Sequence, residues 1–152
     1  PAEIIVVDPS EKARALAGEI GADTTVAADG TQVDTILEMT DGLGAEAIID
    51  FVGERGAIED GVAMLRQAGS YYVIGYGENI NVPTIDIISR EINFIGNLVG
   101  SYNDLAELMT LTAQGKVTLH TSGYPLEAVN DAMADLDQGR LQGRGILVAD
   151  AA

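Results

Sequence analysis

Short apolar segments alternate with helical segments through the first half of the chain, and this alternation constrains the fold more than any other feature. The apolar segments are Ile4–Val7, Thr24–Ala27, Ala45–Val52 and Ser70–Ile74. Segments with apolar residues at helical spacing separate them, at Ser10–Ile20, Thr31–Met39 and Ala57–Gln67. Strands that alternate with helices form βαβ units and a parallel sheet. The sequence predicts an α/β fold, a mostly parallel sheet with helices on both faces.

The pattern changes after the fourth strand. Val82–Ile88 contains Pro83 and is predicted to be an extended edge strand, because proline cannot donate a hydrogen bond inside a sheet. Further elements are predicted at Ile92–Ile95 (strand), Asn103–Gln114 (helix), Val117–Tyr124 (extended), Leu126–Leu136 (helix) and Gly145–Val148 (strand).

Composition excludes several classes of function. Twenty-four acidic residues against eight basic ones give a net charge of −16, so nucleic acid is not an expected partner. The chain has no cysteine and a single histidine, His120, which argues against a metal site within the chain. No apolar run reaches the roughly 20 residues of a membrane helix, and no signal-peptide pattern precedes Ile4, so we expect a cytoplasmic protein without a membrane partner.

The acidic excess has two interpretations. Many acids with only two lysines are typical of halophilic proteins, in which salt screens the self-repulsion. An ordinary acidic protein of a non-halophilic organism is the alternative.

Asp8 stands at the carboxyl end of the first apolar segment. Ligands of open α/β sheets bind at this edge, where a lone carboxylate can accept two hydrogen bonds from the ribose diol of NAD. The alternative is that Asp8 only begins the next helix, since Pro9 and Ser10 follow it.

A set of motifs in fixed order covers nearly the whole chain. It resembles the cofactor-binding domain of the medium-chain alcohol dehydrogenases, the zinc-dependent branch in particular. The matching segments are Ile4–Asp8, Glu19–Asp23, Ile49–Gly53, Gly69–Gly75, Gly115–Val117, Pro125–Glu127 and Gly143–Val148. The family's Gly-x-Gly-x-x-Gly loop has no match, and Gly75–Ile80 fails at the last glycine. Residues 1–152 are therefore expected to be a partial dinucleotide-binding domain that lacks the first strand, the glycine-rich loop and the catalytic zinc domain.

The resemblance implies an NAD-dependent enzyme that transfers hydride between an alcohol and nicotinamide, with zinc held only by the absent domain. Asp8 would bind the adenosine ribose and favour NAD over NADP. Arg144 would pair with the pyrophosphate; the alternative is a surface arginine that balances nearby acids. Further cofactor contacts would come from Phe51, Val52 and Gly53 beside the ribose and pyrophosphate, and from the backbone of Ile74, Gly75, Tyr76, Asn97, Leu98 and Val99 at the carboxamide.

Other residues are expected to have no such role. His120 is predicted on an exposed strand or near an interface, not as a catalytic base. Arg140 and the acid pairs are predicted to be solvated; the pairs are Glu59 with Asp60 and Asp131 with Asp135. The rival hypothesis is a non-catalytic remnant or interaction module that binds no dinucleotide by itself.

The resemblance also predicts assembly and sheet order. Subunits of this family pair through edge strands, so a homo-oligomer through Val82–Ile88 is expected. The family's first strand lies between the segments that correspond to Ile4–Val7 and Ala47–Val52. Either the missing strand is present in the whole molecule, or the gap is filled by a strand of a partner chain or by closure of these two segments against each other. For an isolated fragment we expect the closure, because unpaired buried backbone groups cost about 1–3 kcal/mol each.

Overall fold

Strands and helices alternate from Ile5 to Val148 in this computed structural model, which describes residues 2–149. The chain divides into two units at the boundary between Val99 and Gly100. The first unit contains β1 (Ile5–Asp8), α1 (Glu11–Glu19), β2 (Thr24–Ala27), α2 (Gln32–Met39), β3 (Ala45–Asp50), α3 (Ala57–Met64), β4 (Leu65–Val73), α4 (Thr84–Arg90) and β5 (Asn93–Gly96). The second contains α5 (Tyr102–Ala113), β6 (Thr121–Pro125), a 3-10 turn (Leu126–Ala128), α6 (Val129–Asp137) and β7 (Arg144–Val148).

All strand pairs within residues 2–149 are parallel. β1 pairs with β2, while β3, β4 and β5 form a three-stranded sheet in the order β3-β4-β5. In the second unit β6 pairs with β7. The predicted α/β class with a parallel sheet is confirmed, because parallel neighbours require the crossover helices that the sequence pattern indicated.

Two buried clusters hold the first unit together. Val26 of β2, Ile36 of α2 and Met64 of α3 are buried in one cluster, against which side chains of β1 and β3 pack. The second cluster contains Leu65 and Tyr71 of β4, which are 1% and 0% exposed. The helices α2 and α3 therefore connect the β1–β2 sheet to the β3–β5 sheet through side chains.

The expected closure of Ile4–Val7 against Ala47–Val52 is wrong. Within residues 2–149, β1 pairs only with β2, and β3 pairs only with β4. The shared cluster under α2 and α3 joins the two sheets by side-chain packing, without hydrogen bonds between β1 and β3. Neither strand is buried on both faces: every residue of β1 is only half-buried, and Ile49 is 58% exposed.

The predicted edge strand at Val82–Ile88 is also wrong, because Thr84–Arg90 is the helix α4. Pro83 lies immediately before the helix, and its carbonyl accepts hydrogen bonds from the N–H groups of Asp86 and Ile87 at 3.0 and 3.3 Å. Asp86 in the first turn and Arg90 in the last match the helix dipole, and these local signals outweigh the β-branched composition. Association through an edge strand at this position therefore has no strand to support it.

The boundary between α3 and β4 lies earlier than predicted. The helix ends at Met64 instead of Gln67, and the strand begins at Leu65 instead of Ser70. Leu65 adopts extended backbone angles and pairs with Ala45, after which a bulge shifts the register. Ala68 has a φ of 55°, which accommodates the irregularity.

Hydrogen bonds of acidic residues organise the second unit. Ser101 caps α5 in a capping box with Asp104, whose carboxylate accepts a bond from the Ser101 N–H at 2.6 Å. These bonds lower the pKa of Asp104. Asp135 of α6 accepts from the Tyr124 hydroxyl at 2.7 Å and pairs with Arg140 at 2.6 Å. Arg140 and Asp135 are thus an ion pair, where solvated side chains were predicted.

No helix among residues 2–149 combines the length and apolarity that a membrane crossing requires.

Candidate functional site at the carboxyl edge of the sheet

The turns that follow β3, β4 and β5 lie side by side at one edge of the sheet. Asp50, Val73 and Gly96, near the ends of these strands, are register partners in sequence across the sheet. The backbone N–H of Asn97 donates to the Val73 carbonyl at 3.0 Å and continues this alignment beyond β5. The sheet therefore brings together three predicted cofactor segments, residues 51–53, 74–76 and 97–99.

Two glycines put the first two turns in backbone contact. A Cβ atom on Gly53 would lie 2.7 Å from the Gly75 carbonyl, and one on Gly75 would lie 2.5 Å from Val52 backbone atoms. Gly53 also has a φ of +65°, which disfavours any side chain. Both glycines are required for this close approach, and the sequence prediction assigned both to the cofactor site.

Apolar side chains line the edge but are not buried by it. Phe51 is 73% exposed, Tyr76 is 95% exposed and Leu98 is 91% exposed. Val52, Ile74 and Val99 are exposed as well. Within residues 2–149 the backbone groups of Leu98 and Val99 make no hydrogen bond. The edge therefore combines exposed apolar surface with backbone donors and acceptors that are not used within residues 2–149.

Asp50 is the residue at this edge that the sequence prediction missed. One carboxylate oxygen accepts hydrogen bonds from the N–H groups of Val52 and Gly53 at 2.8 and 3.0 Å. The backbone carbonyl of Asp50 accepts from the N–H groups of Ile74 and Gly75 at 2.9 and 2.8 Å. Ile74 and Gly75 can therefore offer a ligand their carbonyl oxygens but not their N–H groups. The sequence carried a signal for Asp50: like Asp8, it is an acid that ends an apolar strand.

The second carboxylate oxygen of Asp50 accepts a hydrogen bond from the Tyr71 hydroxyl at 2.8 Å. Burial and this bond to Asp50 together raise the pKa of Tyr71 far above its ordinary value, so the phenol stays protonated. The ring fits because Gly61 of α3 has no side chain: a Cβ there would lie 2.6 Å from the ring. Asp50 and Tyr71 form a buried polar pair directly beneath the 51–53 turn.

Asp8 lies at the carboxyl end of β1, half-buried, and combines features of both interpretations given for it. Its carboxylate accepts a hydrogen bond from the Ser10 N–H at 2.7 Å, and Ser10 in turn caps α1. Its backbone carbonyl accepts from the Arg14 guanidinium at 2.7 Å. The carboxylate therefore contributes to the start of the helix, and it lies at the carboxyl edge of the β1–β2 sheet.

Among the other residues named from the sequence, Arg144 and His120 belong to the second unit and Asp60 belongs to α3. Arg144 begins β7 in the second unit and is exposed, and it forms no ion pair with an acid of residues 2–149. Both interpretations of Arg144 stay predictions. His120 precedes β6 and is half-buried instead of exposed on a strand; its Nε2 atom is buried without a hydrogen-bond partner. Asp60 is not simply solvated, because it accepts a hydrogen bond from Gln32 at 2.5 Å.

Potential metal ligands are not clustered. Among residues 2–149 no group of three His, Asp or Glu side chains could hold an ion, and the chain has no cysteine.

The sequence and the fold both match proteins of known family. Residues 2–114, most of the chain, match the family described as zinc-binding dehydrogenase. The chain belongs to the zinc-binding dehydrogenase family. This confirms the resemblance that the ordered motifs indicated.

Relatives of this zinc-binding dehydrogenase chain include archaeal enzymes. An NAD-dependent alcohol dehydrogenase of Sulfolobus acidocaldarius is 33% identical over 147 residues, which are 95% of this chain and 42% of that protein. A D-arabinose 1-dehydrogenase (NADP(+)) of Saccharolobus solfataricus is 31% identical over 145 residues, 95% of this chain and 41% of that protein. This chain therefore spans less than half the length of these relatives.

A solved structure has the same fold. The alcohol dehydrogenase of the hyperthermophilic archaeon Aeropyrum pernix matches with a TM-score of 0.93 and 37% identity. The match covers 97% of this chain and 43% of that one. It confirms the Rossmann-type α/β fold.

Proposed function

We propose that this chain is the coenzyme-binding part of an NAD-dependent, zinc-type alcohol dehydrogenase. The observation that carries the proposal is the carboxyl edge of the β3–β5 sheet. Two of its turns touch through Gly53 and Gly75, and the third has free backbone groups at Leu98 and Val99. Ligands of open α/β sheets bind at this edge.

The residues present fit a dinucleotide. The exposed side chains of Phe51 and Val52 offer apolar surface to a ribose or a flat ring, and the glycine contact beneath them leaves no Cβ in the way. The free N–H and C=O groups of Leu98 and Val99 match a carboxamide, which both donates and accepts hydrogen bonds. Arg144 belongs to the second unit, and its proposed role rests on the family resemblance and on a guanidinium's ability to bind phosphate oxygens in pairs. The nicotinamide, when bound, supplies hydride transfer to or from a carbon atom.

NAD is the proposed cofactor, although one of the two relatives above is named for NADP(+) and the other for NAD. Asp8 carries the preference, because a carboxylate accepts hydrogen bonds from the two ribose hydroxyl groups and repels a 2′-phosphate. The substrate would be a small alcohol or carbonyl compound.

Zinc does not fit this chain. With no cysteine, one histidine and no acidic cluster of three within residues 2–149, a tetrahedral zinc site cannot be assembled here. We therefore assign no step to zinc on these residues, and any zinc of the whole protein would take its ligands from other residues.

The test is titration calorimetry of NAD and NADP with the protein as its gene encodes it. Replacing Asp8 by alanine together with Pro9→Arg should weaken NAD by about tenfold to a hundredfold, because hydrogen bonds to a charged group are lost, and should strengthen NADP. Pro9→Arg alone is the matched control for the added charge, and Asp131→Ala controls for the removal of an exposed acid. An unchanged ratio of the two affinities would remove Asp8 from the site.

A wild-type protein that binds neither cofactor would overturn the proposal itself. That result would favour the interaction module, which the absence of a Gly-x-Gly-x-x-Gly loop from the chain first indicated.

A further inference from the structure

A buried acid and a buried tyrosine lie beneath the candidate site without touching its surface. Asp50 is 6% exposed and Tyr71 is fully buried. Burying a carboxylate is costly unless hydrogen bonds compensate it. Tyr71 belongs to a cluster whose other buried members, Val62, Leu65 and Ile92, are apolar. The pair therefore needs an explanation beyond packing.

Asp50 holds two turns at once. Its carboxylate accepts from the N–H groups of Val52 and Gly53, which fixes the 51–53 turn. Its carbonyl accepts from the N–H groups of Ile74 and Gly75, which fixes the start of the 74–76 turn. One residue thus sets the conformation of both segments whose backbones meet at the candidate site.

Tyr71 determines how the carboxylate of Asp50 is oriented. Its hydroxyl donates to the carboxylate oxygen that the turn does not use, and lies 3.4 Å from the Ala57 carbonyl. The phenol ring packs against Gly61 of α3 and against Phe94, whose ring centroid lies 5.5 Å from that of Tyr71. Without the hydroxyl, one oxygen of Asp50 would be a buried acceptor with no donor. The carboxylate would then gain by rotating toward solvent, and would release the Val52 and Gly53 N–H groups.

We propose that Asp50 and Tyr71 are positioning residues for the cofactor: they hold the 51–53 and 74–76 turns in the conformation that binds the dinucleotide. The inference rests on the proposed function. Because both side chains are buried beneath the turns, they would act on affinity through the turns. Losing the pair leaves the turns free to sample other conformations, and binding must then order them again.

The test measures NADH affinity by fluorescence, together with the melting temperature, in the protein as its gene encodes it. Tyr71→Phe removes one oxygen atom and should raise the Kd for NADH about threefold to tenfold. Asp50→Ala should raise it further. Asp50→Asn keeps an acceptor for the Val52 and Gly53 N–H groups, so it should recover much of the affinity lost with alanine. Tyr72→Phe is the matched control, because it removes a hydroxyl group from the next residue of β4, and its Kd should change less than twofold.

A purely structural role gives a different result. Variants that melt earlier but bind NADH as tightly as the wild type at a temperature well below melting would overturn the inference. If Asp50→Ala does not fold, Tyr71→Phe and Asp50→Asn decide the question. Failure of the wild type to bind NADH would instead overturn the proposed function and the inference with it, and the wild-type titration distinguishes this case.

Discussion

Replacing Gly53 by alanine should lower the stability of the fold in two ways, through backbone strain and through a steric clash. Alanine substitutions at other glycines of the chain measure the two effects separately. Gly53 has a positive φ, and its Cβ would lie 2.7 Å from the Gly75 carbonyl. Gly56 has a φ of +79° with nothing within 4 Å, so Gly56→Ala measures the backbone cost alone. A Cβ on Gly75 would meet backbone atoms at 2.5 Å without the positive φ, so Gly75→Ala measures the steric cost alone. Gly96 has neither constraint, so Gly96→Ala is the control substitution.

The expected magnitudes follow from these geometries. Gly56→Ala should cost about 1–2 kcal/mol for a left-handed backbone. Gly75→Ala should cost about 1–3 kcal/mol, because backbone atoms must move to admit the methyl group. Gly53→Ala combines both terms and should cost about 2–5 kcal/mol, while Gly96→Ala should stay within about 0.5 kcal/mol. Each kcal/mol lowers the melting temperature of a protein of this size by about 2–4 °C.

The assay is urea unfolding of the four variants and the wild type, followed by NAD titration of those that fold. Contact between the two turns at the site predicts that Gly53→Ala and Gly75→Ala also weaken NAD binding, whereas Gly56→Ala does not. Equal stability losses for Gly53→Ala and Gly56→Ala would refute the close approach of the two turns.

Three further predictions concern salt dependence, self-association and pH dependence. Screening of the −16 charge should raise the melting temperature between about 0.1 M and 1 M KCl, where the Debye length falls from about 10 to 3 Å; a flat or falling curve would contradict this. We still expect a homo-oligomer, although not through a strand at Val82–Ile88, and a monomer in sedimentation at micromolar concentration in high salt would be evidence against it. Hydrogen bonds from Tyr124, and after it Arg140, lower the pKa of Asp135 in the folded protein. The Asp135 carboxylate therefore stabilises the fold at pH values above its unfolded pKa of about 3.9. This stabilisation is lost as the pH falls through the lower pKa of the folded state. Tyr124→Phe should therefore destabilise the protein at neutral pH and converge with the wild type in acid, as pH-dependent melting would show.

Sequence patterns predicted the first unit well where local and tertiary preferences agree. Thr24–Ala27 was predicted with its observed bounds, and the first two helices and the third strand begin or end within two residues of the prediction. The apolar run of each strand and the spacing of each helix point to the same element. The three cofactor turns follow from the same pattern, because parallel strands bring their carboxyl ends to one edge.

The failures occurred where the sequence carries two signals. Ile85, Ile87 and Ile88 favour a strand, but Pro83 and the dipole-matched charges favour a helix, and the helix formed. Asp50 was missed because its partner, Tyr71, is 21 residues away in the chain and meets it only through the pairing of β3 with β4. Local sequence patterns also could not predict that β1 and β3 leave their facing edges unpaired, since this depends on side-chain packing beneath α2 and α3.

The most direct test of the proposed function is a crystal structure of the gene-encoded protein with NAD. We predict that the nicotinamide carboxamide contacts the backbone of Leu98 and Val99, that the dinucleotide crosses the turn at Phe51–Gly53, and that Asp8 binds the ribose diol. Density for NAD at another surface, or none under conditions in which the protein is saturated with NAD in solution, would contradict the assignment of this sheet edge as the cofactor site.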